Sequence, residues 1–389
     1  MACYISSRDN RFYVAVEQQF GAAAEIAAAN RFPATTLSIT QEAVLPKRLD
    51  KTGSRTYLGN GAPFRTSASF ALKSYMAANA QNSGAPCQGP LFESALGGGA
   101  QSSPGGVVES IPVPGQIRFL NPHGLTTGQG LAFGGEIRFA AAVLDDRTVR
   151  LNAPFTILPA AGSILSPTTS YSLSKNLKSV TICDYWSPES AVQRIACGAV
   201  VDRLKIAVNG DYHELEFRGP AAELVDSASF VSGLGSLTTF PAEPATGALP
   251  APVPGHLGQA WIGAAPDQFF TLTEASLSLD NNVDMRAREF GSIKPRCFAP
   301  GTRSLTFRFA VFARDDVATS GLYVAAKQAA PVEVMLQLGQ QPGQLMGIYM
   351  RSVVLPVPVF DDREPRLEWR FDGCLARGQA EDELYVAFG

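Results

Sequence analysis

The chain has little charge for its length. Asp, Glu, Lys and Arg make up 17% of 389 residues, and 32 Lys and Arg against 35 Asp and Glu leave a formal charge of -3. Without a basic excess it lacks the clustered cations that hold phosphate backbones, which excludes a nucleic-acid grip driven by net charge. No apolar run is long enough for a membrane helix, and Arg8, Asp9, Arg11, Glu17 and Glu25 break up the N-terminal stretch. Neither a membrane span nor a signal peptide is therefore expected, and the chain is predicted to be made and kept in the cytoplasm. Histidine is scarce: His123, His213 and His256 fit no general-base or metal-ligand pattern. The cysteines, Cys3, Cys87, Cys183, Cys197, Cys297 and Cys374, stand singly with no CxxC pair, which points to buried thiols rather than a zinc site.

Glycine (36), proline (27) and a 46% hydrophobic content are what the chain does have. They fit many short strands joined by turns, and the length suffices for two or three units of ordinary domain size. The predicted fold class is mainly β, an antiparallel sandwich or barrel with a short flanking helix.

Residues 12–29 form the one long stretch rich in helix formers, although Gly21 interrupts it. Residues 31–64, with Pro33, Pro46, Gly53, Gly59 and Pro63 around a polar KRLDKTGSRT run, read as a long extended arm. RTSASFALKSYM (65–76) reads as a strand, and PLFESALGG (90–98) as one or two helical turns stopped by glycine. A Ser/Gly/Pro linker then introduces residues 105–172, a small inserted β-barrel by its period-two patterning. Its acids (Glu109, Glu136, Asp145, Asp146) balance its arginines (Arg118, Arg138, Arg147, Arg150).

DRLKIAVNGDYHELEF predicts a hairpin closed by Asn209-Gly210 in a type I′ turn, setting Lys205 opposite Glu214 and Ile206 opposite His213. Residues 241–255 read as a linker. Beyond it six alternating segments follow, among them RSLTFRFAVFARD with Leu305, Phe307, Phe309 and Val311 on one face. The predicted organisation is a first β domain from 1–104 and 173–240, the 105–172 insert, and a second β domain at 256–389.

Candidate chemistry is thin. Asp280 to Asp284 imitates the start of a calcium loop, but Met285 and Gly291 stand where glycine and glutamate are needed. Gly128, Gly130 and Gly134 have the wrong spacing for a dinucleotide fingerprint. The pair Asp361/Asp362 and the run Glu381/Asp382/Glu383 belong to a segment, 359–389, with eight acids and four arginines, which reads as a solvated edge. No enzyme activity, metal or cofactor is predicted.

Three stretches carry a resemblance: KTGSRT with the YLGNGAPFRTSASFALKSYM that follows it, FTLTEASLSLDNNVDMRAREFGS, and MGIYMRSVVLPVP with the closing EDELYVAFG. Together they resemble the tail tube (major tail) proteins of tailed bacteriophages. The resemblance implies six copies to a ring, rings stacked into a tube, and a lumen through which DNA passes without specific binding. It also implies other phage tail proteins as partners and a place in the virion tail, after assembly in the host cytoplasm. Two fused tube-like halves, or one tube domain with large decorations, would account for the length, with the 105–172 insert on the outer surface.

Open strand edges in a β-rich subunit are best satisfied by pairing with neighbours, and closed rotational symmetry removes them. On this reading the arm at 34–64 reaches the adjacent ring, while strands near 65–76 and 271–314 line the lumen. Lys47, Arg48, Lys51 and Arg55 pair with Asp361, Asp362, Glu381 or Asp382 of a neighbour, and a mildly acidic lumen repels phosphate. The alternatives are a distal tail or baseplate protein with the same barrel, or a carbohydrate-binding appendage using Trp186, Trp261 or Trp369.

Overall fold

A computed structural model describes residues 10–44, 50–51, 53–56, 64–77, 86–186, 192–226, 251–264 and 267–389. The protein is mainly β, built from antiparallel sheets, with two α-helices among the described residues.

The largest sheet runs, in hydrogen-bonded order, through strands Asp267–Gln268, Gly258–Gly263, Pro331–Leu338, Met346–Val354, Glu368–Ala376, Ser304–Phe312, Leu272–Asp280, Arg203–Val208, Glu214–Ala221, Arg65–Tyr75 and Ala34–Val44. Alternation dictates its faces. Leu305, Phe307, Phe309 and Val311 are all buried, and Phe309 stacks on Phe371 with centroids 4.6 Å apart.

The expected split near residue 250 corresponds to no break in pairing. Leu272–Asp280 pairs with Arg203–Val208 from Arg203↔Asp280 to Val208↔Ala275, and one core holds side chains from both predicted halves. The two β domains drawn from the sequence are thus joined in one sheet.

A second sheet combines Arg31–Phe32, Asn10–Val16, Val180–Trp186, Val192–Ala199 and Glu223–Asp226. Here the predicted helix over 12–29 gives way to a strand. Asn10–Val16 pairs residue for residue with Val180–Trp186; Phe12 and Val14 enter the main core, and Tyr13 packs with Cys183 and Tyr185 on the other face. A strand buried on both faces gains more from pairing than the alanines beyond it gain from helix propensity. The turn that follows is fixed by the buried Glu17 carboxylate, which accepts from Gly21 N (2.9 Å), Thr181 Oγ1 (2.9 Å) and Gly198 N (2.7 Å). Gly21 there has φ +76°, outside any helix.

Helix α1 (Gly89–Leu96) is where the sequence places it and ends at Gly97, φ +86°. Helix α2 (Val317–Gln328) lies in a segment to which the sequence pattern assigns no element. Asp316 caps it, accepting from Thr319 N at 2.7 Å.

The arm also needs correction. Ala34–Val44 is a strand, paired with Arg65–Tyr75 from Ala34↔Ser74 to Val44↔Arg65. Ile39 reaches the core, which an arm reaching away from the body would not do. The Asn209-Gly210 hairpin is present but shifted by two residues: Lys205 faces Glu216 and Ile206 faces Leu215. Only Asn209 of the pair has positive φ, so the turn is not type I′. Contacts outside the hairpin hold the wider loop open. Tyr212 bridges to Pro254 and packs on Tyr75, while His213 O accepts from Met76 N and His213 Nε2 lies 3.0 Å from Leu257 O. A shift of two keeps every side chain on its expected face.

The insert closes on itself. Strands Ile164–Leu165, Gly106–Ser110, Gln116–Phe119, Thr148–Leu151, Glu136–Val143 and Gly130–Phe133 pair in that order, and Ser166 N donates to Ala132 O (2.8 Å) to join the ends. Val108, Ile117, Phe119, Val149 and Leu165 fill this barrel with a core of its own. A second cluster, in which Ile137 and Phe139 meet Trp261, Met335 and Tyr349, packs it onto the main sheet.

At the centre of that junction Arg138 is fully buried. It donates to Pro154 O (2.9 Å), Ile137 O (2.8 Å), Gln337 Oε1 (3.2 Å) and Gln259 Oε1 (2.9 Å), and pairs with Glu136 at 3.2 Å. Its guanidinium carbon lies 4.9 Å from the centroid of the Trp261 ring. Burial pulls its pKa down to about 10, against the opposing pull of Glu136, so it stays charged at neutral pH.

Candidate assembly surface

Chemistry-bearing clusters are sparse. Among the described residues no group of His, Cys, Asp and Glu is placed to hold a metal ion, and no helix is long and apolar enough to cross a membrane. Cys183, Cys197 and Cys374 are buried, and burial raises each thiol to about 12, so they stay protonated and inert. His213 is buried as well, and burial lowers its pKa.

Of the four cations expected to dock on a neighbour, Lys47 and Arg48 lie outside the described residues. Lys51 and Arg55 are exposed, in the connection between the paired residues Val44 and Arg65. Two of the four acids are engaged within the chain. Asp361 is gripped by Arg363 and by Arg370 (3.0 Å), and its hydrogen bonds with Arg363 hold its carboxyl below the usual range. Burial disfavours ionisation of Asp382, but the amides of Gln379 and Ala380 and the guanidinium of Arg351 (3.2 Å) outweigh it and lower the pKa. Asp362 is exposed and Glu381 half-buried, with φ +52°; neither forms an ion pair among the described residues.

The wet face of the large sheet is not acidic. Lys73, Arg203, Lys205, Arg218 and Arg308 stand there against Glu214, Glu216, Glu274 and Asp280, several of them paired across strands, as in Arg203 to Asp280 at 2.7 Å. Mutual pairing leaves this face almost neutral.

Three features remain open to a partner. The first is the edge strand Ala34–Val44, eleven residues long and, among the described residues, paired on one side only; Leu224 N donates to its Gln41 Oε1 at 2.8 Å. The second is the loop between Asp284–Met285 and Phe298–Ala299, tied to the same end of the hairpin by Thr66 N to Ile293 O (2.9 Å). Arg286, Arg288, Lys294 and Arg296 are exposed there, with Phe290 at its tip 102% exposed. The third lies where α2 meets Val359–Asp361. Phe360 stacks on Trp369 at 5.4 Å and Tyr323 lies 5.7 Å from Trp369, with Val359 62% and Phe360 53% exposed. The Trp369 indole N–H finds no acceptor. Trp261, by contrast, is buried under Arg138.

A polar cleft of about 520 Å³ lies where the barrel, residues 170–176 and the C-terminal strand converge, lined by Thr127, Ser172, Lys175, Asn176 and Glu381 among others. No protein-family model matches the chain, and no curated protein matches its sequence.

Proposed function

We propose that the chain is a structural subunit that works by assembling with copies of itself, as a bacteriophage tail tube subunit does. The edge strand Ala34–Val44 carries this reading. At about 3.4 Å per residue it presents roughly 37 Å of backbone. It holds neither proline nor lysine, the usual devices that keep an edge from pairing, and its only bulge lies at its start, between Ala34 and Thr36. An unprotected edge of this length is a template for strand addition, and repeated addition around an axis closes a ring. The near-neutral wet face supplies little repulsion toward phosphate, so passage of DNA would rely on the absence of a binding site rather than on charge.

The test uses Thr40→Pro and Gln41→Pro. One removes an outward amide and the other a ladder amide, since successive residues alternate. The outward variant should keep the circular-dichroism spectrum and thermal midpoint of the wild type while losing assembly by sedimentation. Deleting residues 47–56 should likewise leave a folded chain that forms no tubes. Negative-stain images separate a tube subunit, which gives long uniform tubes, from a distal tail or baseplate protein, which gives single rings. A wild-type chain monomeric at every concentration ends the proposal.

A second reading, a glycan-binding appendage, draws on the polar cleft, whose hydroxyl and amide lining suits a polyol. Glycan-array binding abolished by Asn176→Ala would favour it.

A further inference from the structure

We infer that the basic loop of one copy seats Phe290 on the aromatic patch of the next, a head-to-tail contact separate from edge-strand pairing. The inference rests on the self-assembly reading and names a second surface for it.

Each half is incomplete alone. A fully exposed phenylalanine at a loop tip leaves a large ring in water, and Ile293 beside it is also exposed. The Tyr323, Phe360 and Trp369 cluster exposes the complementary surface: aromatic rings able to take a fourth in edge or offset geometry, with Val359 alongside. The charges left without an ion-pair partner on the two rims are opposite in sign. Arg286, Arg288 and Arg296 have no carboxylate partner among the described residues, while Asp362 and Glu364, directly after Val359–Asp361, have no cation. The cations around the patch are engaged: Arg363 and Arg370 with Asp361, Arg366 over the Phe312 ring at 4.2 Å, and Lys327 over the Tyr323 ring at 5.6 Å.

The two halves cannot meet within one chain. The loop leaves the sheet where Asp280 faces Ser304, whereas Trp369 of the patch faces Val311, at the far end of Ser304–Phe312. A contact between two different patches leaves one of each free on every pair, so it propagates until a ring or a stack closes. A buried aromatic anchor ringed by charge is the usual form of an interface hot spot.

Sedimentation and negative-stain imaging are run on the full chain and three variants: Phe290→Asp, the loop reversal Arg288→Glu/Arg296→Glu, and the patch reversal Asp362→Lys/Glu364→Lys. All the changed side chains are exposed, so circular dichroism should be unaltered. Each variant alone should need roughly tenfold more protein to assemble, about 1.4 kcal/mol per contact. Mixing the two reversals should restore assembly, because each loop then meets a patch of opposite sign. If the wild type assembles and Phe290→Asp and both reversals assemble equally well, the contact is wrong and edge pairing stands. If the wild type never assembles, both fall together. If the wild type instead retards a single-stranded oligonucleotide, and the loop reversal abolishes this while assembling normally, the loop is a nucleic-acid contact and the inference is overturned.

Discussion

The inserted barrel and the hairpin end of the large sheet solve the same problem in opposite ways. The barrel closes its own edges through Ser166 N to Ala132 O and fixes itself to the main sheet with a buried guanidinium whose donors are met by carbonyls, glutamines and one glutamate. The hairpin end leaves a long edge, a cationic loop and a bare phenylalanine exposed. Contacts satisfied internally fix a shape, whereas groups left open define where another molecule can add.

The sharpest way to break the contrast is at the junction. Arg138→Ala should destabilise the protein by about 3–5 kcal/mol in thermal or urea unfolding, because it strands a half-buried Glu136 and opens a cavity beneath Trp261. A loss below about 1 kcal/mol would show that the barrel is merely laid on the sheet. Gly128→Ala should come next, at about 2–4 kcal/mol: φ is +90° and an added Cβ would fall 2.0 Å from the Tyr385 ring. Asp316→Ala, which removes the α2 cap, should cost about 1 kcal/mol and leave assembly unchanged. Asp361→Asn, at a surface ion pair, should leave the thermal midpoint almost unchanged.

Acid sharpens the comparison further. Burial works against the Glu136 charge, yet hydrogen bonds from Gln259 and Thr156 and the Arg138 charge prevail and lower its pKa. A folded-state pKa below the unfolded value of about 4.3 stabilises the fold above that value, and the gain is lost as pH falls through the folded pKa. Thermal midpoints should therefore drop below about pH 4, and Glu136→Gln should flatten that part of the curve.

The fold class was legible because period-two alternation survives in strands such as Ser304–Phe312, whose Leu305, Phe307, Phe309 and Val311 are all buried. The stop of α1 at Gly97 was legible for a local reason too, its positive φ. What was not legible depended on distant partners. The alanines after Gly21 signal a helix locally, but Val180–Trp186 claims the preceding segment as a strand. Asn209-Gly210 signals a tight turn, but contacts of Tyr212 and His213 reset the register. Arg138 reads as one of four balanced arginines, and only tertiary packing makes it the buried one. On the assembly surface the cations near 47–55 drew notice as a run, whereas Phe290 and the Tyr323, Phe360 and Trp369 cluster sit in ordinary strand and loop text. Asp361 and Asp382 looked free because sequence spacing does not reveal that Arg363, Arg370 and Arg351 already hold them.

The strand Tyr385–Phe388 pairs with Thr168–Ser172 on one side and Met346–Val354 on the other. A ribosome releases those four residues after everything they join, so the barrel can mature during translation while the seam beside it stays unzipped.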